Sequence, residues 1–558
     1  MTRSRCPPCV QCRYRKVRCD RRQDVCGNCD RLQFACSFRA SAEKSANTKR
    51  TTTDSTRSCP PERRRGSRAC LSCRRSKARC SGELPACRTC QQRQRECHYP
   101  ALDVPSLLVP IRREELATVL DQFFRHLYPI PSFAILHEPS VRQQCRQGML
   151  ELPLALSIAA ITNVYLNPDP RMFRECKSWI SRAETFLWEH LHQPSLARVQ
   201  ALVFVVHYHI QAGEFARAYM LAGMAARAAI ALRVNYERPE LGFIAQETRR
   251  RVLWGLTMLD GQFSVGLPEY ETIPYTIVYQ QFPCCEEDYS EDELGGTKHP
   301  NLLAACLQIS KVQRDVMRLT RQLAISDKPL AELPVLIQEI QTDLWRIHTD
   351  LELKFDFSIS STTQALDMKT SRWFPRYLLA SLSWHQVHCD LYRIFLPGYP
   401  EAVPSIIMNA TEATFRDHAS EMCSTHVQQI FKILQGVLDD VDLPLLPFYV
   451  AVTAYQAARL GLFLRSFPRI GGQMTLNRAV VGANTALSML LRFFSSTPPA
   501  HDMVADLQQL MEAESSPSNT VQRQRCSAQG HSDTSRHSSL AVHSLIRQAD
   551  FVDGGYDS

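Results

Sequence analysis

Twelve cysteines near the N-terminus carry the clearest chemistry in this sequence. Cys9, Cys12, Cys19, Cys26, Cys29 and Cys36 recur as Cys70, Cys73, Cys80, Cys87, Cys90 and Cys97, every pair at one constant offset. Both sets read C-x2-C-x6-C-x6-C-x2-C-x6-C. Thiolates at such spacing suit a tetrahedral, borderline-soft cation, zinc above all. Six thiolates overfill one four-coordinate site. Two zinc ions require eight Zn–S bonds, and six sulfurs supply eight when two of them bridge both metals. Each half of a repeat offers C-x2-C and a third cysteine after a gap of six, so the halves are pseudo-equivalent, as a two-metal cluster requires. The expectation is two Zn2+ per repeat and four in the chain. Cys6 and Cys59 have no counterpart and stand outside the clusters, although Cys6 forms a competing C-x2-C pair with Cys9.

A disulfide framework is the rival use of clustered cysteines, and it belongs to oxidising compartments. The opening MTRSRCPPCV has no apolar segment of the signal-peptide kind. The uncharged run from Val199 to Gly213 is too short and too polar to span a bilayer. The chain is therefore expected in a reducing compartment, where metal ligation is favoured. RING- and LIM-like zinc modules use other spacings and usually histidine. Six thiolates on two zinc ions leave two negative charges in surplus, which nearby Arg and Lys offset. So small a unit has few apolar side chains to bury, and metal binding must supply most of its folding free energy, ~10–16 kcal/mol for structural zinc in finger peptides.

Charge points the same way. Residues 1–100 hold 25 Lys and Arg against 8 Asp and Glu, whereas the remainder holds 40 against 48. A basic head on a mildly acidic body is the asymmetry of a polyanion-binding module attached to something else.

The order of residues within the repeats narrows this further. The first reads CRYRKVRCD from Cys12 to Asp20, and the second reads CRRSKARC from Cys73 to Cys80. Arg13, Lys16 and Arg18 match Arg74, Lys77 and Arg79 at the same offset. Both repeats, from Cys9 to Cys36 and from Cys70 to Cys97, resemble the zinc binuclear cluster (Zn2Cys6) of fungal transcription factors. That resemblance implies that Cys9 and Cys26, and likewise Cys70 and Cys87, are the bridging ligands. It also places Lys16 and Lys77 near the end of the first short helix, where they reach base edges, typically in a CGG triplet. Lys or Arg donating to guanine O6 and N7 is the commonest specific major-groove contact. Arg13, Arg15, Arg18, Arg74, Arg75 and Arg79 are expected to hold phosphates and set register. The copies depart from the family pattern at Asp24, where Pro85 of the second copy fits, and at Ser81, where Asp20 of the first copy fits. A tandem pair is itself unusual for the family.

The elements that must carry these residues follow from composition. Residues 1–40 and 67–100 are the two clusters. Residues 41–66, rich in Ser, Thr, Arg and Lys, read as a flexible linker, and 101–112, with Pro105 and Pro110, as a second connection. From 113 to 512 apolar residues recur at three- and four-residue steps, starting with Leu116, Val119, Leu120, Phe123, Phe124 and Leu127. Similar stretches lie near 196–233, 244–262, 300–323, 332–352, 372–395, 410–438, 448–466 and 475–495. The expected fold is all-α: two small zinc modules, then a large helical domain whose most apolar helices are central, then a disordered tail over 513–558. The end of that tail, LIRQADFVDGGYDS, mixes acidic and apolar residues as activation segments do, though a frayed terminus is the plainer reading.

The helical stretch also resembles the regulatory domain of the same family. The match is best in TRRRVLWGLTMLDGQFS, where Arg250, Arg251, Trp254, Asp260, Ser264 and then Pro283 fit the family's places. Gly261 replaces its usual Arg, and Gly266, Leu267 and Pro268 only approximate its Gly-Arg-Pro. Helix packing is the expected role. No Gly-rich phosphate loop, nucleophile elbow or HExxH is present, so the chain is not expected to be an enzyme. His385 with Cys389 and the adjacent Cys284 and Cys285 are read as buried or inert pairs. No heptad is sustained over 101–130.

The sequence therefore predicts a nuclear, sequence-specific regulator of RNA polymerase II genes. Its partners are double-stranded DNA and the transcription machinery or co-regulators, with a small-molecule effector in the helical domain and a homodimer as further options. Specialised metabolism is the expected setting. The rival reading is a zinc-stabilised interaction protein that reads no bases, or a pair of clusters of which one is structural.

Overall fold

The computed structural model describes residues 9, 12, 19–20, 26, 29 and 36 of one compact unit, Met1–Ser67. In the second unit, Arg68–Ser558, it describes 69–78, 80, 86–97, 111–167, 169–290, 300–326, 328–440, 443, 445–465, 475–515 and 544–549. The described residues form helices and turns, with one isolated bridge between Tyr236 and Tyr279. The linker at 41–66 and most of 101–112 lie outside them.

The second cluster contributes α1 (Leu71–Arg75) and α2 (Arg88–Gln92). The helical body begins with α3 (Arg113–Gln122), which passes into a π-turn at Phe123–Leu127. Phe123, Phe124 and Leu127 are buried there, so this segment belongs to the core. Next come α4 (Glu138–Gln147), α5 (Leu152–Leu166), α6 (Pro170–Glu189), α7 (Leu196–Gln211), α8 (Phe215–Ala231) and α9 (Phe243–Ser264). After α10 (Glu286–Ser290) follow α11 (Leu302–Ala324), α12 (Leu333–Phe355), α13 (Thr362–Asp367), α14 (Phe374–Arg393) and α15 (Ser405–Ala410). The series closes with α16 (Ala413–Leu438), α17 (Phe448–Leu464), α18 (Leu476–Phe493), α19 (His501–Ser515) and α20 (Leu545–Gln548).

Local signals set the helix boundaries. Asp169 and Ser195 accept backbone N–H bonds at the starts of α6 and α7, and Asn301 and Thr475 do so for α11 and α18. Gly213, at φ +74°, splits the apolar stretch 196–233 into α7 and α8. In α7 every residue from Val199 to Ile210 is buried, and α14 is buried along nearly its whole length. These are the central helices that an apolar circumference predicts. No single helix among the described residues is long and apolar enough to cross a membrane.

Two hydrophobic cores result. One gathers α3 to α9, the other α11 to α19, and α11 serves both: Leu303 and Leu307 face the first while Ile309 and Val316 face the second. A buried charge cluster joins them. Arg251 donates to Glu247 at 2.9 Å, to Tyr128 Oη at 2.9 Å and to Glu286 at 2.8 Å. Arg376, from the start of α14, also reaches Glu286 and donates to the Pro129 carbonyl at 2.9 Å. Burial alone would raise the Glu286 carboxyl, but the two guanidiniums outweigh it and hold it at about 2. Removing either partner of such a buried set leaves a charge uncompensated, at a cost of about 3–5 kcal/mol.

The best family match proves to be this packing. Arg250 makes a two-pronged contact with Glu237 at 2.8 and 3.0 Å, Trp254 Nε1 donates to Gln281 O at 2.8 Å, and Asp260 accepts from Thr272 N at 2.8 Å. Within 513–558, α20 docks against α8 and α9. Leu545 is fully buried and Ser544 Oγ donates to Phe263 O at 3.0 Å. That short segment is held on the body. The remainder of the tail lies outside the described residues.

Candidate metal centres and nucleic-acid interface

In the first unit the sulfurs of Cys9, Cys12, Cys26 and Cys29 all lie within 4.8 Å of one another. Cys9 Sγ is 3.6 Å from Cys26 Sγ and 3.7 Å from Cys29 Sγ, and Cys12 Sγ is 3.5 Å from Cys26 Sγ. Cys36 is buried with them, Cys19 packs against the group, and Asp20 joins Cys19 and Cys26 in a further cluster of ligand atoms.

The second cluster shows its design more fully. Its sulfurs form two four-atom groups: Cys70, Cys73, Cys80 and Cys87, and Cys70, Cys87, Cys90 and Cys97. Only Cys70 and Cys87 are in both, which is the arrangement two bridging thiolates require. Neighbouring sulfurs stand 3.6–3.9 Å apart. A zinc tetrahedron with Zn–S of about 2.3 Å has edges of about 3.8 Å, so the donor set fits zinc by identity, number and spacing.

The backbone repeats itself between the two halves of this cluster. Cys73 N donates to Cys70 Sγ at 3.3 Å, as Cys12 N does to Cys9 Sγ at 3.4 Å. Cys70 N donates to Cys80 Sγ at 3.4 Å and Cys87 N to Cys97 Sγ at 3.2 Å. Helix α1 ends with Lys77 N on Arg74 O at 3.2 Å and Ala78 N on Cys73 O at 3.0 Å; α2 ends with Gln94 N on Gln91 O at 3.1 Å and Arg95 N on Cys90 O at 3.0 Å. These paired bonds are Schellman closures, which need a left-handed residue just past the helix. Lys77, at φ +47°, and Gln94, at φ +48°, occupy those places. Helices this short have no core of their own, and their ends are fixed by sulfur and by these closures.

Without a cation burial raises several of the packed thiols, whereas at Cys90 burial is outweighed by its neighbours' hydrogen bonds and the thiol is brought down to about 7. Burial pushes Cys29 and Cys73 up to about 12 and Cys97 to about 11. Zinc, when bound, replaces those protons as counter-charge and welds the halves together.

Lys77, Arg74 and Arg75 are exposed on and just past α1 while the sulfurs beneath them are buried. The structure thus gathers one predicted base reader and two predicted phosphate holders at one helix end. Arg13, Arg15, Lys16, Arg18 and Arg79 lie outside the described residues. Sequence patterning does not announce the left-handed backbone of Lys77. Its one signal is the absence of Gly just past a very short helix that must nevertheless turn.

The other candidate pairs lie in the helical body. Cys389 is buried, and His385 Nδ1 meets His426 Nδ1 at 2.8 Å between α14 and α16. Cys285 Sγ donates to Asp288 at 2.8 Å, burial pushes that thiol up to about 11, and both Cys284 and Cys285 are free thiols.

Two six-cysteine clusters, the second with an exposed basic helix end, on a chain whose described body is built of helices, define a protein that carries binuclear zinc clusters. Comparison with known proteins agrees. The fungal Zn(2)-Cys(6) binuclear cluster domain matches residues 7–45 and 68–103, and the fungal specific transcription factor domain matches 120–367. The curated proteins similar to this chain include the Zn(2)-C6 fungal-type transcription factors FTF1a, 26% identical over 34% of this chain and 19% of its own length, and FTF2, 26% over 28% and 16%, both from Fusarium oxysporum f. sp. lycopersici. A transcriptional regulatory protein of Schizosaccharomyces pombe, C1327.01c, is 23% identical over 29% of this chain and 18% of its own. The matches span less than a fifth of these relatives' length.

The chain belongs to the fungal Zn2Cys6 transcription factor family, as a tandem-cluster member with the family's helical domain. Its two cluster domains are zinc binuclear clusters, and the six sulfurs of each suit two Zn2+ ions.

Proposed function

We propose that both clusters read DNA, each placing one lysine on a CGG-like triplet in the major groove. Lys16 and Lys77 are the base readers, and Arg13, Arg15, Arg18, Arg74, Arg75 and Arg79 hold phosphates. The twelve repeat cysteines are the zinc ligands, with Cys9, Cys26, Cys70 and Cys87 bridging. Residues 1–40 and 67–100 form the reading head and 113–512 the regulatory body. That body receives co-regulators and a small-molecule effector, and the protein acts in the nucleus on a specialised metabolic pathway. One chain reads two triplets, since a covalent tether raises the effective concentration of the second reader without a dimer.

The observation that carries this is the exposed Lys77, held with Arg74 and Arg75 at the end of a helix whose other face is buried cluster sulfur. The test is selection of sites from a random DNA pool by the zinc-loaded full chain, against Lys16→Ala and Lys77→Ala. Two spaced triplets, each lost with one lysine, are expected. Loss with only one lysine makes the other cluster structural. No enrichment above salt-sensitive background refutes base reading and favours a protein-contact role.

A further inference from the structure

The second cluster touches the helical body through the half that does not carry Lys77. Arg88, the first residue of α2, is exposed and donates from Nη1 to the Glu240 carbonyl at 3.0 Å. Glu240 lies in the connection between α8 and α9, far from Arg88 in sequence. Nothing local to α2 asks for an arginine here, because a cation in the first turn faces the positive end of the helix dipole. The four half-repeats make the same point. The residue just after the leading cysteine is Val10, Gly27, Leu71 and Arg88 in turn. Only the last has a side chain that can donate a hydrogen bond to another element.

The turn that receives Arg88 is braced from behind. Helix α8 ends on Arg233 at φ +54°, with Val234 N on Ala229 O at 2.9 Å. Asn235 O accepts from Tyr279 N at 2.9 Å, and the rings of Tyr236 and Tyr279 stack at 4.8 Å. Leu241 N closes the turn on Arg238 O at 2.9 Å, and Arg238 N donates to Gln246 Oε1 at 2.8 Å. From α9, Arg249 donates to Leu232 O at 2.9 Å and to Arg233 O at 2.8 Å, while Arg250 grips Glu237. A carbonyl held this way needs little further ordering when a guanidinium binds it. The next residue of α9, Arg251, belongs to the charge cluster between the two cores. A continuous set of bonds therefore runs from the second cluster to the centre of the body.

We propose that the second cluster docks on the α8–α9 connection through its non-reading half, with Arg88 as the anchor. The exposed Lys77, Arg74 and Arg75 belong to the other half and are left to DNA. The first cluster, with Gly27 in the equivalent place, lacks the anchor. The two readers are thus unequal: a rearrangement of α9 acts on the second through the docked turn and has no such route to the first.

The test is hydrogen exchange read by mass spectrometry on the zinc-loaded full chain. Arg88→Ala is expected to raise exchange over residues 233–246 by about fivefold, the effect of one net hydrogen bond, with zinc content unchanged. Chelation of zinc should raise it at least as much while α7 and α14 exchange as before. Arg93→Ala, at the other end of α2 and also exposed, should match the parent. If Arg88→Ala loses zinc, Arg88→Gln takes its place. Exchange over 233–246 that ignores chelation, or that rises equally with Arg93→Ala, overturns the dock. Unchanged exchange in the Arg88 variant, with weaker DNA binding and a salt slope smaller by about one, makes Arg88 a phosphate contact and also overturns it. Site selection by the same samples keeps the two proposals apart. Failed base reading with the exchange effect intact defeats the DNA proposal alone, and intact reading without the exchange effect defeats the dock alone.

Discussion

Replacing Lys77 with glycine separates reading from folding more sharply than the usual alanine change. Lys77 pays for its position, because a non-glycine residue in the left-handed region costs roughly 1–2 kcal/mol. Glycine takes φ +47° without that cost and keeps both backbone bonds that close α1. Lys77→Gly should therefore leave the second cluster as stable as before, or stabler by up to about 1 kcal/mol. The same change removes the ammonium that the DNA proposal places on guanine. A base contact of this type is worth ~1–3 kcal/mol, so affinity for the cognate triplet should fall by about 5- to 150-fold. Gln94→Gly is the matched control, with φ +48° and the same closure in the opposite half. It should leave DNA affinity within about twofold. The assays are fluorescence anisotropy on the selected site at fixed salt and zinc-chelator competition on the same samples. If Lys77→Gly binds DNA like the parent while Gln94→Gly does not, the reading half has been misassigned. If Lys77→Gly loses zinc more readily, the conformational argument is wrong.

Chelation should unfold both clusters and abolish DNA binding while the far-ultraviolet helical signal of the body persists, because its two cores contain no repeat cysteine. A parallel loss of helicity would refute that independence. Acid should destabilise the body in two stages. His385 and His388 are held neutral by burial at about 3 and about 4, so below the ordinary histidine value near 6.5 the unfolded chain binds protons that the folded chain refuses, and stability falls as pH drops. Glu286, held at about 2, adds stability above the ordinary carboxylate range, and this is lost as pH falls from there toward 2. Urea titrations at several pH values should show both limbs, and His388→Gln should flatten the first by up to about 3 kcal/mol; an unchanged slope would count against it. Leu545→Asp should release α20 at a cost on the order of 2 kcal/mol, seen as lost hydrogen-exchange protection at 544–549. Protection equal to the parent's would refute docking.

Spacing and periodicity made the ligand set and the larger helices legible. The cysteine register repeats without error, and the runs near 302–324, 333–355, 374–393 and 476–493 show clear apolar steps. What escaped has physical reasons. Helices α4 to α6 carry Pro139, Pro153 and Pro170 in their first turns, and α5 is apolar around its whole circumference, so no stripe marks it. The Gly213 break is one residue in a long apolar run. The docked α20 was hidden because Leu545 and Ile546 stand beside polar sequence, and only the α8–α9 groove gives them something to bury against.

The division of labour between metal and core bears on why there are two clusters. A unit stabilised by zinc needs little chain, so a second reader costs few residues and does not depend on the cores of the body. What it adds depends on reach. The last ligand of the first cluster is Cys36 and the first ligand of the second is Cys70. In any conformation the chain between them can span no more than about 115 Å, at ~3.4 Å per residue. That corresponds to a little over 30 base pairs of B-DNA at ~3.4 Å per pair. Within that span a bound first cluster holds its neighbour near the second triplet, and the advantage declines as the gap grows. Beyond it, one chain cannot touch both triplets, and the second must be read by another molecule. Affinity that falls to that of a single triplet as the gap passes this limit is the behaviour of a tethered pair. Affinity indifferent to the gap would mean that only one cluster is reading.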